Sequence, residues 1–249
     1  MRVKIIPCID ICDGKAVKGV KYRDMKVVGD PLELAVKYEE QGADEIVIAD
    51  ISATMEERHT NIDNLRNIAA RVKTPLIMGG GVSCLEDADK IIAAGAKRVT
   101  IGTAAMRRPD LILECAAKHG ISSVVITLDC RPNRSGTYDI WINGGTQNTG
   151  LDAVRAAVSA EKYGAGRIML TNLECHGTCE GYDLNLIKAV SSAVKIPVIA
   201  GGGAGTLQHF AEAARAGAGA VLAAGVFHYG ELTVKQIKGY LKKEGIEVF

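Results

Sequence analysis

Short β-branched runs alternate with longer amphipathic stretches along the whole chain. The apolar runs are VKIIPCI (3–9), EIVIA (45–49), PLIM (75–78), RVTI (98–101), SVVITL (123–128), RIMLT (167–171), PVIA (197–200) and AVLAA (220–224). Helical spacing predicts helices between them, among them PLELAVKYEEQGA (31–43), LEDADKIIAAGA (85–96) and GLDAVRAAVSAEKYGA (150–165). Several close on a Gly-Ala pair, as expected where glycine lies just beyond the last turn. Apolar strands separated by helices point to parallel pairing through right-handed crossovers. Eight evenly spaced units favour an α/β fold of the (β/α)8, or TIM, barrel class over an open doubly wound sheet. Residues 1–249 are read as one such barrel domain.

The chain also repeats itself. TPLIMGGG (74–81) returns as IPVIAGGG (196–203), 122 residues on. The same shift aligns GADEIVIAD (42–50) with GAGRIMLTN (164–172) and GAKRVTIGTAA (95–105) with GAGAVLAAGVF (217–227), without a gap. That period is too long for a solenoid. It fits two duplicated half-barrels of four units each.

Composition narrows the function classes. Thirty basic residues against 29 acidic ones leave a formal net charge of +1, so a nucleic-acid partner has no global electrostatic support. No stretch approaches the roughly 18–20 apolar residues of a membrane span. The run MRVKIIPCID is interrupted too early by Asp10 for a signal peptide. Seven scattered cysteines do not read as a disulfide framework, which suggests a reducing cytoplasm.

In a barrel of this class the active site lies at the carboxyl ends of the strands. Gly79-Gly80-Gly81 follows the third strand and Gly201-Gly202-Gly203 the seventh; Gly102 and Thr103 follow the fourth, and Ala224 and Gly225 the eighth. Glycine lets the backbone approach a ligand, and the next helix start offers unpaired N–H groups to an anion. Two matched clamps predict a substrate with a phosphate at each end. Asp10 ends the first strand and Asp129 the fifth, so an acid and a base would face each other between the clamps. Asp50, ending the second strand, is a further candidate. Cys175, His176 and Cys179 could suggest zinc, but no second ligand pair follows at suitable spacing. The reading therefore includes no metal and no cofactor.

DGKAVKG (13–19), GDPLELA (29–35), ADISATMEER (49–58), NTGLDAV (148–154), GYD (181–183), AGGGAG (200–205) and VFHYGEL (226–232) together resemble the HisF family, the cyclase subunit of imidazole glycerol phosphate synthase. The resemblance covers essentially the whole chain. It implies a lyase of histidine biosynthesis. The substrates would be a phosphoribulosyl-formimino aminoimidazole carboxamide ribonucleotide and ammonia, and the products imidazole glycerol phosphate and an aminoimidazole carboxamide ribotide. Asp10 and Asp129 match the family's acid–base pair, and Lys18 a residue that helps close over the substrate. Thr171, Gly177 and Thr178 are retained in the sixth loop. Ammonia would come from a HisH-like glutaminase docked at the amino-terminal face of the barrel.

The sequence departs from the family at several places. His176 stands where an aspartate is usual, Asn172 for a serine and Glu174 for an aspartate. Gly102 replaces an asparagine and Gly225 a serine, each losing a side-chain donor but keeping its N–H. At the ammonia entrance Lys4, Glu45 and Arg98 preserve the usual charges, but Arg167 replaces a glutamate and Lys97 an aspartate. Three cations cannot pair one to one with a single carboxylate. Two alternatives stay open: a sugar-phosphate isomerase sharing the duplicated barrel, and a non-catalytic phosphate-binding barrel.

Overall fold

A computed structural model describes residues 2–20, 23–53, 56, 59, 60 and 62–249. Its elements run β1 (Lys4–Cys12), β2 (Lys15–Val20), β3 (Arg23–Gly29), α1 (Pro31–Glu40), β4 (Ile46–Asp50), α2 (Ile62–Ala69), β5 (Leu76–Gly79), α3 (Leu85–Ala93) and β6 (Arg98–Ile101). There follow α4 (Thr103–Arg107), α5 (Asp110–His119), β7 (Val124–Pro132), β8 (Tyr138–Ile142), β9 (Gln147–Asp152), α6 (Ala153–Lys162) and β10 (Arg167–Asn172). The chain ends with α7 (Leu184–Ala193), β11 (Val198–Gly201), α8 (Leu207–Arg215), β12 (Ala220–Ala223), α9 (Gly225–His228) and α10 (Val234–Lys243).

Strands β1, β4, β5, β6, β7, β10, β11 and β12 pair in parallel in that order, and β12 returns to β1, so the barrel closes. The predicted (β/α)8 barrel is the observed one. Alternation along each strand divides its side chains between two layers. Ile5, Ile9 and Ile11 of β1 join the large core beneath the helices, whereas Ile6 and Cys8 point to the axis with Val47, Ile77, Val125, Met169 and Ile199.

Two antiparallel hairpins rise from the carboxyl-terminal rim, and both went unpredicted. Strand β1 continues past the rim to pair with β2, which pairs with β3; β7 likewise pairs with β8, and β8 with β9. They occupy equivalent places in the two halves.

Several family motifs are helix caps. Asp30 of GDPLELA accepts hydrogen bonds from Leu32 N at 2.9 Å and Glu33 N at 3.1 Å, with Pro31 in the first helical position. Asp152 of NTGLDAV accepts from Arg155 N at 2.9 Å, and Asp183 of GYD from Leu186 N at 3.0 Å. In ADISATMEER, Thr54, Met55, Glu57 and Arg58 lie outside the described residues. Among the described residues, no helix is long and apolar enough to cross a membrane.

Candidate active site

Asp10 shares the parity of Ile6 and Cys8, and Asp129 that of Val125, so both project to the barrel axis at its carboxyl-terminal mouth. They come from equivalent strands of the two halves. Asp10 is opposite Val17 of its hairpin and Asp129 opposite Trp141 of the other.

The first hairpin delivers Lys18. Its ammonium donates to Asp10 Oδ2 at 3.0 Å and lies 3.0 Å from Nε2 of His176, in the loop after β10. An ammonium can only donate, so Nε2 accepts and the ring proton sits on Nδ1. The hairpin is folded against that loop: a Cβ on Gly177 would stand 2.8 Å from the Gly19 carbonyl oxygen. From below, Cys8 Sγ donates to Asp10 Oδ1 at 3.2 Å. Burial first, and then the Asp10 charge, push the Cys8 thiol well up, so it keeps its proton. Cys8 was missed in the sequence, although a polar residue two positions before a candidate acid shares its face of the strand.

The two acids have opposite electrostatics. Burial disfavours charge on Asp10, but the Lys18 ammonium and the hydrogen bonds from Lys18 and Cys8 outweigh it and hold the carboxyl below its ordinary value. Among the described residues no cation offsets burial at Asp129, and the Asp10 charge adds to the penalty, raising it to about 7. His176 is lowered to about 4, by burial first and by Lys18 second, so it is neutral at pH 7.

The glycine turns lie on the same rim in both halves, and space dictates some of them. Gly80 has φ +107°, and a Cβ there would fall 2.0 Å from the Asp50 carbonyl oxygen. Its counterpart Gly202, at φ +86°, meets Asn172 O at 3.3 Å, and Gly203 would clash with Gly181 O at 1.9 Å. Gly81 also has positive φ. Gly102 and Gly225 differ: a Cβ would meet its nearest neighbour at 3.8 Å in each, so glycine is not required. These two residues lead into α4 and α9, with Gly102 and Ala224 as the N-caps.

The remaining candidates are dispersed. Thr171 is buried beside Asp129 in the β7–β10 pairing. Thr103 Oγ1 accepts from Asn143 N at 3.0 Å, tying α4 to the second hairpin. Asp50 ends β4 with the parity of Ile46 and Ile48, which face the helices, and accepts from Ala53 N at 3.3 Å, so it leaves the strand on the face opposite to that of Asp10 and Asp129. Asn172 donates to Asp183 at 2.6 Å and accepts from Glu174 N at 2.8 Å, while Glu174 lies 3.5 Å from Arg131. Among the described residues, no three His, Cys, Asp or Glu side chains gather as a metal-holding group.

At the opposite end, Lys4, Glu45, Arg98 and Arg167 all point inward, on the faces of Ile6, Val47, Thr100 and Met169. All three cations pair with the one carboxylate of Glu45. The inward apolar layer separates this ring from the aspartates.

A family model described as a histidine biosynthesis protein matches residues 4–233. The chain is similar to three proteins named imidazole glycerol phosphate synthase subunit HisF. That of Pyrobaculum aerophilum is 50% identical over 249 residues, covering 99% of this chain and 98% of the relative. That of Thermobifida fusca is 46% identical, covering 100% and 99%. That of Streptomyces coelicolor is 45% identical, covering 98% of each.

Proposed function

The chain belongs to the HisF family of imidazole glycerol phosphate synthase cyclase subunits, acting in histidine biosynthesis, and from that premise we propose how its own residues perform the step. As a single barrel domain in the cytoplasm, it takes the phosphoribulosyl-formimino aminoimidazole carboxamide ribonucleotide and ammonia. It releases imidazole glycerol phosphate, the aminoimidazole carboxamide ribotide and one water, which carries off the carbonyl oxygen that ammonia displaces, as a lyase that closes a ring. A HisH-like glutaminase at the amino-terminal face supplies the ammonia.

Gly80, Gly81, Gly102 and Thr103 hold one terminal phosphate, and Gly202, Gly203, Ala224 and Gly225 the other. This stretches the substrate across the mouth, with its reacting centre between the two acids. Adding ammonia to carbon requires a proton to leave the nitrogen, and breaking the bond to the carboxamide ribotide requires one to reach the departing nitrogen. Ionised Asp10 accepts and protonated Asp129 donates. Lys18 folds its hairpin over the substrate, and neutral His176 orients Lys18 and the sugar hydroxyls. Asp50, Thr171 and Gly177 shape the surrounding rim.

The observation that carries this reading is the opposed electrostatics of Asp10 and Asp129, which project to the barrel axis from equivalent strands. The test is turnover of the bisphosphate by the purified chain with ammonium chloride. Release of the carboxamide ribotide and imidazole glycerol phosphate is expected. Isomerisation without nitrogen uptake, or tight binding with no reaction, would contradict the reading.

A further inference from the structure

The charged ring at the amino-terminal end, where ammonia would enter, lies apart from the acid–base pair, and its charges do not balance. Lys4, Arg98 and Arg167 share the carboxylate of Glu45, with Arg98 at 3.0 Å and Arg167 at 2.8 Å, leaving two positive charges uncompensated. Glu45 is fully buried, and the three cationic side chains are 11–21% exposed. Like charges this close in a partly dry site repel strongly. Burial lowers the hold of Arg98 on its proton; Glu45 opposes that, and Arg167 adds to it. Arg98 Nε is buried with no hydrogen-bond acceptor among the described residues. The ring therefore carries excess positive charge, which calls for an added anionic group.

Arg167 is the duplicate of Glu45, 122 residues on. A carboxylate at that position would restore balance, but this chain does not provide one.

The surroundings suit a protein more than a free ion. The Phe249 ring is 51% exposed and lies beneath Arg2 and Lys4, 4.9 and 5.0 Å from its centroid. Ile121 is 58% exposed, and its backbone packs against Gly166, next to Arg167. Lys97, next to Arg98, is exposed as well. A small anion would leave both apolar side chains in water, whereas a docked protein would cover them while supplying a carboxylate.

We propose that Lys4, Arg98 and Arg167, gathered around Glu45 at the amino-terminal end of the barrel, recognise one carboxylate side chain of the docked partner subunit, with Phe249 and Ile121 as apolar contacts beside it. This rests on the reading of the chain as one half of an ammonia-using pair. It adds to that reading the chemistry by which the partner is selected. A partner suited to a barrel with glutamate at 167 would lack the required acid.

The test measures the affinity of the full chain for the HisH-type glutaminase of the same organism, by calorimetry at low and moderate salt. Arg167→Gln should weaken the complex about 10-fold, and Arg167→Glu about 100-fold. The loss should shrink as salt rises, with melting temperatures showing that both variants fold. Phe249→Ala should weaken it about 5-fold without changing the salt dependence. Binding of Arg167→Glu within twofold of the unsubstituted chain, or tighter, would overturn the proposal, as would no complex with the unsubstituted chain. So would stabilisation by inorganic phosphate that Arg167→Gln abolishes while partner affinity is unchanged, since the ring would then serve a free anion. Turnover with ammonium chloride needs no partner, so failure of the ring inference and failure of the proposed function are read separately.

Discussion

Lys18 holds the Asp10 carboxylate at 3.0 Å from a hairpin that lies outside the barrel. The charge state of Asp10 is therefore set by a residue of the hairpin and not of the barrel itself. Replacing Lys18 by Met should let burial raise Asp10 against the remaining Cys8 hydrogen bond and lower kcat/KM about 100-fold or more. The pair also links stability to pH. Asp10 is depressed, so its contribution is present above its unfolded value and lost as pH falls through the folded one. Lys18 is raised, so its contribution is complete below its unfolded value and lost as pH rises through the folded one. The melting difference between Lys18→Met and the unsubstituted chain should be largest near neutrality and vanish in acid.

His176 accepts from Lys18 as a neutral ring. Replacing it by Asp gives Lys18 a charged acceptor. Steady-state kinetics should show kcat/KM rising about 5-fold. Unchanged or lower values would mean that the loop has adapted to histidine.

Burial and the nearby Asp10 charge make an ionised Asp129 costly to the fold. Its folded value, about 7, lies above the unfolded one, so the stability tied to its protonated form is lost as pH rises through that range. Asp129→Asn should abolish turnover and keep bisphosphate affinity within about tenfold. At pH 8 it should also stabilise the chain by on the order of 2 kcal/mol, several degrees in Tm. Asp10→Asn should abolish turnover as well, but it strands the Lys18 charge and should destabilise. Calorimetry on the two variants separates these signs.

The rim glycines divide into two kinds. Gly80→Ala and Gly203→Ala would place a Cβ about 2 Å from a carbonyl oxygen, at 2.0 and 1.9 Å, in a backbone conformation L residues resist. Each should destabilise by about 2 kcal/mol or more and raise KM. Gly102→Asn and Gly225→Ser have ordinary space and return a donor to each clamp. Each should fold normally and lower KM about 3- to 10-fold.

The barrel was legible because its strands are apolar on both faces and short, so every run of β-branched residues marked one. Asp10 and Asp129 were legible because each ends such a run. The hairpins were not. Strand β9, QNTGLD, has no buried residue and thus no alternation to read. Strands β1 and β7 continue into them without a break in backbone conformation. The resemblance gave Lys18 a part in closing over the substrate but did not set it against Asp10, because that contact depends on how the hairpin folds back. Asp50 ends a run like the two acids, yet its strand presents the opposite face there. At the amino end, spacing showed an unbalanced set of charges; only the folded barrel brought all three cations onto Glu45.

The claim that Asp10 works ionised while Asp129 works protonated is tested most directly by the pH dependence of kcat/KM for the bisphosphate, with free ammonia held constant by adjusting the ammonium salt. The value should fall tenfold per pH unit above about 7, as Asp129 loses its proton. A profile that stays flat to pH 9, or rises through that range, would contradict it.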